Sequence, residues 1–401
     1  MKTTITLLTA LLSTGAFAVT TEQRQHYMDE MSLVKFMTPS EEASYYWQNL
    51  PEVMPSAVIA REGGIKPLER NNKSNITSTA IKGQKLADIL LSDDAPLEAL
   101  MVIEKGVVTY EHFNIDPRQK HVWMSNAKTV AGLLVAMLEE EGRINVQQQL
   151  GKYIPDVTGT AWESIKVIDV LNQQSGLDLE ESDATRYNPD HYVSQFFQSE
   201  VIGDDYLKNL LKVPAVKEPG QAFEYSSLNT QMLGLLISSV SKKRLSEVFE
   251  ERIWSKAGMT GDGVLAMSPT GYEIIHGVLS SNLEDMMRYG LLHTPSWNKT
   301  AEKQVISDRI LKTIRASITP DVFNKSDSSK RFIAMTGEEP LGSSYQWDQI
   351  WQDGDMYKSG MRGQGIYVSP DKDIVIGWFS RKDSEIHAAS FARQYAKSMT
   401  K

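Results

Sequence analysis

The chain has 401 residues, 41% hydrophobic and 23% charged, which is enough apolar material for a substantial buried core. Its 42 Lys and Arg against 51 Asp and Glu leave a net charge of −9, so it carries no basic footprint for a phosphate backbone, which argues against nucleic acid as a partner. The absence of cysteine excludes disulfides, thiolate metal clusters, cysteine nucleophiles and lipidated cysteines.

Met1 and Lys2 lead into an apolar stretch from Ile5 to Leu12, followed by Gly15 and Ala16-Phe17-Ala18. This is the pattern of a secretory signal cut after Ala18, because the apolar run is well short of the roughly 20 residues a membrane span needs. The expected location is the periplasm or the medium, with no membrane span in the mature chain. From Val19 to Ile81 runs an N-terminal extension of mixed composition, with Tyr45-Tyr46-Trp47 and a polar loop at Asn71–Asn75.

Gln84 to Leu91 reads as a helix. Leu100–Ile103 and Val107–Tyr110 flank Glu104-Lys105-Gly106, and Gly365–Val368 and Ile374–Phe379 flank Pro370–Asp373, so each pair is expected to form a hairpin. A helix is expected from about Glu385 to Lys397. Between the two hairpins, helical periodicity dominates, as in Leu228–Val240 and Leu245–Trp254. Strands at both ends with helices between them predict one sheet-containing body from residues 82–144 and 320–401, carrying an inserted helical lobe at 145–319.

Ser125-Asn126-Ala127-Lys128 opens an apolar segment that contains Val130, Leu133, Leu134, Val135 and Leu138 and stops at Gly142. Three residues is about one helical turn, so Lys128 is placed beneath the Ser125 hydroxyl, and burial beside other cations would lower its pKa enough for it to act as a base. The start of the helix offers a backbone N–H and a positive dipole end to a developing oxyanion. Ser-x-x-Lys recurs at five other places, such as Ser296/Lys299, but only Ser125 has a long apolar helix directly after it. A hundred residues on, Tyr225-Ser226-Ser227 precedes the apolar run Met232–Ile237, and Tyr225 is a candidate to exchange a proton with a leaving group. Lys358-Ser359-Gly360 leads into Met361–Gly365 and the strand Ile366–Val368, where a strand edge can supply a backbone N–H.

In this order, Ser-x-x-Lys, Tyr-Ser-Ser and Lys-Ser-Gly resemble the three motifs of the serine β-lactamase and penicillin-binding-protein superfamily, over roughly Leu100 to Phe379. Ile154–Val157, Thr160–Glu163 and Ser175–Asp178 resemble that family's connection after the nucleophile. Tyr225-Ser226-Ser227, Tyr345-Gln346-Trp347 and Gly363–Val368 are most similar to the class C-like 6-aminohexanoate-dimer hydrolases and related esterases. The resemblance implies an α+β fold, an antiparallel sheet flanked by helices with an inserted all-helical lobe, and neither cofactor nor metal. It implies Ser125 as nucleophile, Lys128 as its base, and Tyr225 as the acid and base that also activates the deacylating water. Lys358 would help hold a substrate carboxylate and bias the Tyr225 proton, and the N–H groups of Ser125 and Met361, beside Gly360, would form the oxyanion hole. In a shifted register Met361-Arg362-Gly363 takes the third position, with Arg362 the nearest cation. Class C β-lactamases carry Tyr-x-Asn where this chain has Ser227, so β-lactams are expected to be poor substrates.

The expected activity is therefore hydrolysis of a small ester or amide through an acyl-enzyme. The alternatives are a β-lactamase or D,D-peptidase proper, or a relative that acylates and releases slowly and acts as a covalent sensor. A Ser-His-Asp hydrolase lacks its Gly-x-Ser-x-Gly elbow, and a metalloprotease lacks His-Glu-x-x-His. The sequence assigns no oligomeric state.

Overall fold

Two hairpins, one from each end of the chain, meet in the middle of the main sheet. The computed structural model describes residues 19–81, 83–90, 97–382 and 388–399, so the secretory segment read from residues 1–18 lies outside the described residues. Leu97–Glu104 turns through Lys105 and Gly106 into Val107–Phe113, and both turn residues have positive φ, 50° and 75°. A two-residue loop of this kind has the twist that suits a hairpin, and glycine adopts it without strain. The second hairpin joins Gln364–Ser369 to Ile374–Ser380. Ile374–Ser380 then pairs antiparallel with Leu97–Glu104, placing Ile374 opposite Glu104 and Trp378 opposite Leu100.

The eight-stranded sheet runs in the order Gly342–Ser344, Trp347–Ile350, Met356–Gly360, Gln364–Ser369, Ile374–Ser380, Leu97–Glu104, Val107–Phe113, Glu69–Arg70. Alternation along Leu97–Glu104 divides it between two cores. Ala99, Met101 and Ile103 join the larger core with Met286 and Met287 of the helix Leu283–Leu291. Leu100 and Val102 join a second core with Phe391 and Tyr395 of the helix Ala388–Ser398. A sheet covered on both faces needs apolar residues at successive positions, which is why these strands read as continuous apolar runs.

The predicted helices appear with small shifts. Gln84–Lys85 is a short strand followed by a helix at Leu86–Leu90, and the two middle helices span Ser227–Ser241 and Leu245–Arg252. Of the C-terminal helix, Ala388–Ser398 falls within the described residues. The inserted segment differs from a purely helical lobe. It holds the strands Gly263–Ala266 and Leu279–Ser281, which form a second sheet with Ser56–Ile59 and His121–Val122. These strands of three and four residues are too short to show a period in the sequence. The extension is built into the body: Tyr45, Tyr46 and Trp47 are buried in the larger core and Glu69–Arg70 pairs parallel with Val107–Val108.

The helix Lys128–Glu140 crosses the larger core and buries every residue from Lys128 to Leu138. Full burial of each large aliphatic side chain contributes about 1.5–3 kcal/mol. Gly132 allows the helix to touch the neighbouring chain, since a Cβ there would stand 2.1 Å from the Tyr345 carbonyl oxygen. The helix ends where Gly142 takes φ 72°, with Gly142 N donating to Glu139 O and Arg143 N to Leu138 O, a Schellman closure.

Candidate active site

Between His121 and Leu138 every residue except Ser125 is buried. Ser125 stands in a tight turn, Met124–Ala127, directly before the long helix. Met124 has φ 50°, a left-handed conformation that strains a residue with a Cβ and that packing must maintain. The turn is held by Trp123 N donating to Leu279 O (2.7 Å) and Asn126 Nδ2 donating to Trp123 O (2.8 Å).

Lys128 lies below the serine. Its Nζ donates to Ser125 Oγ (3.2 Å), Ser227 Oγ (2.8 Å) and the His276 carbonyl (2.6 Å), which uses all three ammonium protons. Burial, helped by the Lys358 cation, brings its pKa down to about 7 against the opposing pull of Glu181, Asp348 and Glu200. An amine poised near neutrality and hydrogen-bonded to a hydroxyl can accept that hydroxyl's proton.

Tyr225 precedes the helix Ser227–Ser241, whose N-cap Ser226 accepts from Leu228 N (3.2 Å). Two buried amines flank its ring, Lys358 Nζ at 4.7 Å and Lys128 Nζ at 5.4 Å from the centroid, and Lys358 Nζ donates to the phenol oxygen at 3.5 Å. Burial, with Asp348 and Glu181 adding to it, holds the phenol well above the ordinary tyrosine value, while a hydrogen bond with Ser125 pulls the other way. The phenol is thus a proton donor at neutral pH, and the neutral amine of Lys128 is the stronger candidate base.

Of the two registers read for the third motif, Lys358 is the cation that reaches Tyr225, whereas Arg362, which also lines the cleft, takes φ 59° and donates from Nε to the Met37 carbonyl (2.8 Å). One expectation is corrected. Lys358 is 1% exposed and donates to the buried Asp348 carboxylate, whose other oxygen accepts from Ser359 N (2.9 Å) and Ser359 Oγ (2.6 Å). Its charge is spent inside the protein, so it is not free to hold a substrate carboxylate.

Gly360 ends its strand against the nucleophile turn. A Cβ there would meet Asn126 Nδ2 at 2.9 Å and Met124 Cβ at 3.0 Å, so only glycine brings the following Met361 to the same cleft as Ser125. The cleft is a cavity of about 280 Å³ that Ser125, Tyr225, Ser227, Gly360 and Met361 all line.

The sequence did not point to three neighbouring groups: Glu181, the His276–Glu200 pair and Asp348. Glu181 accepts from Ser227 N and pairs with Arg186 (3.0 Å), and although burial pushes its carboxyl up, Arg186 and Lys128 bring it down to about 2. His276 and Glu200 form a buried pair (2.5 Å) beside the carbonyl that holds Lys128.

The sequence model of the β-lactamase family, described by that name, matches residues 92–399. The chain belongs to the β-lactamase family. It is a serine hydrolase of that superfamily, as its motifs implied. A relative in Paenarthrobacter ureafaciens, named 6-aminohexanoate-dimer hydrolase, is 24% identical over 340 residues, covering 82% of each chain. A Bacillus anthracis structure provisionally named for the same activity superposes with TM-score 0.75 at 20% identity, covering 92% of this chain and 97% of that one. EstCE1, described as a hydrolase with promiscuous acyltransferase activity, gives TM-score 0.57 at 12% identity over 75% of this chain and 93% of its own. At these identities the two structures share the fold, and the family assignment rests on the sequence match. Ser227, where the motif resemblance placed the asparagine of class C enzymes, has its hydroxyl engaged by Lys128 (2.8 Å).

Proposed function

We propose that the protein is a secreted hydrolase of small esters or amides that works through an acyl-enzyme on Ser125. The observation that carries this reading is the Lys128 amine, poised near pKa 7 and 3.2 Å from a hydroxyl that alone in its segment reaches solvent. Lys128 takes the Ser125 proton as the oxygen attacks the carbonyl carbon. The resulting oxyanion is stabilised by the N–H groups of Ser125 and Met361. Tyr225 gives its proton to the departing alcohol or amine and recovers one from the serine through Lys128, and in deacylation the same groups activate water. Lys358, tied to Asp348, keeps the phenol in place. The named activity of the P. ureafaciens relative supports a linear amide as one substrate class.

The test is intact mass after treatment with a fluorophosphonate probe, for wild type and Ser125→Ala. One adduct in the wild type and none in the variant is the expected result, followed by hydrolysis of short p-nitrophenyl esters in the wild type alone. Adduct formation at equal rate in Ser125→Ala would overturn the assignment. Secretion is tested by the mass of the protein recovered from the producing cell, which should begin at Val19.

A further inference from the structure

The segment that the sequence left without a role forms one wall of the cavity beside Ser125. Met31, Leu33, Phe36 and Met37 line that cavity, although the nearest of them is 88 positions from Ser125 in sequence. The arm is fastened to the body at the C-terminal end of this stretch. The short helix Leu33–Met37 is capped by Ser32, which accepts from Lys35 N (3.3 Å). Trp47, buried in the larger core, donates from Nε1 to Phe36 O (2.9 Å). Arg362, in the turn that carries Met361, donates from Nε to Met37 O (2.8 Å). The arm is therefore tied to the turn on which an oxyanion hole depends.

The cavity lining is mixed: Glu181, Arg186, Glu200, Arg331 and Arg362 supply charged groups, and methionines supply much of the apolar surface. Met31, Met37, Met54, Met124, Met335 and Met361 bring six of the chain's 17 methionines to one cavity. Methionine is unbranched and polarisable, so such a wall adapts to apolar chains of varied shape. A cavity of about 280 Å³ is roughly twice the size of one that takes a benzene ring, giving room for about ten non-hydrogen atoms. Tyr225, on which a leaving group depends for its proton, has Phe332 (5.2 Å between centroids) and Arg331 (5.3 Å) as neighbours, and no residue of the arm among its ring contacts. Ligand pockets with apolar walls and a few convergent polar groups bind the apolar part of the substrate and orient its reactive bond.

Resting on the acyl-enzyme reading above, we propose that the N-terminal arm, Met31 to Met37, is a specificity element that receives the acyl chain of the substrate and selects medium-length apolar acyl groups over acetyl. Each methylene buried against the wall strengthens binding of the acylation transition state, so selectivity accumulates along the chain. Met31 and Leu33 are partly exposed and pack against the rim of the larger core, so the melting of each variant is read beside its kinetics.

The experiment compares kcat/KM for p-nitrophenyl acetate and p-nitrophenyl hexanoate, which share a leaving group, in wild type, Ser125→Ala and the double variant Met31→Gln with Leu33→Gln. Wild type should favour hexanoate by at least about tenfold. The double variant should lose most of that preference while its rate on acetate stays within about twofold. A folded double variant with an unchanged hexanoate-to-acetate ratio, or a wild type that favours acetate, overturns the role of the arm and leaves Ser125 chemistry standing. Hydrolysis of acetate that persists in Ser125→Ala overturns the acyl-enzyme reading on which the arm's role rests. A variant that melts far below wild type is replaced by Leu33→Trp, which fills the cavity and should depress hexanoate alone. Equal effects of Leu33→Trp on both esters also overturn the proposal.

Discussion

Lys358 and Asp348 close on each other inside a strand pair, at 1% and 2% exposure, and their contact converts a cation expected to face the substrate into a fixed support for Tyr225. Removing one partner of such a pair leaves an uncompensated buried charge. Asp348→Asn is therefore expected to lower the unfolding free energy by about 3–5 kcal/mol. Asp348→Leu with Lys358→Met should lose much less than the sum of the two single changes, which chemical denaturation in a double-mutant cycle will measure. Additive losses would show that the pair is not coupled.

The pairing of these two residues was within reach of the sequence. Gln349 pairs with Tyr357 and Ile350 with Met356, so one further step along the same register sets Asp348 opposite Lys358. The two strands are separated by a short polar loop and lack a strong alternating pattern, which kept the hairpin hidden. Ser125, Lys128 and Tyr225 were legible because their spacing within local motifs is itself the chemistry. Glu181 and the His276–Glu200 pair reach the site through tertiary folding, without a local period or a motif to announce them. The arm was illegible for a different reason. Its cleft-facing residues, Met31, Leu33, Phe36 and Met37, look in sequence like any apolar packing residues, and only the fold shows that part of their surface faces a cavity instead of a core.

The pH dependence follows from Lys128. With its pKa at about 7, acylation of an activated ester should rise with pH through that value and then level off. Glu181 raises the Lys128 value by its negative charge, so Glu181→Gln should move the rising limb to lower pH. A limb that stays in place or moves up would remove Lys128 from the role of base. The same burial affects stability. An unfolded Lys128 holds its proton up to about 10.5 and the folded one only to about 7, so between these values the unfolded chain binds more protons and this group's contribution to stability improves as pH rises. The denaturant midpoint of wild type should therefore rise relative to that of Lys128→Met from pH 7 toward pH 10.

A carboxylate on the substrate should gain little from Lys358. Asp348→Leu with Lys358→Met should change the kcat/KM ratio of matched ester substrates with a free carboxylate and with its methyl ester by less than about threefold, since a neutralised buried amine offers no net charge. For the same reason, and because Ser227 is held by Lys128, nitrocefin should be turned over poorly. Efficient nitrocefin hydrolysis would show that β-lactam recognition here needs neither an asparagine at position 227 nor a free cation at 358.

The sharpest test of the proton path is Tyr225→Phe. The ring's packing against Phe332 and between the two lysines survives the change, so the fold and substrate binding should persist and KM should move little. What is lost is one hydroxyl, the group that delivers a proton to the leaving atom. The expected fall in kcat is at least about 100-fold, the lower end for a positioned acid or base. The fall should be larger for an amide than for a p-nitrophenyl ester, because an amine must be protonated to depart while a nitrophenolate leaves unaided. Equal losses on both substrates would mean that the hydroxyl serves the attack on the carbonyl more than the departure. Unchanged kinetics would reduce Tyr225 to a packing residue between two buried amines.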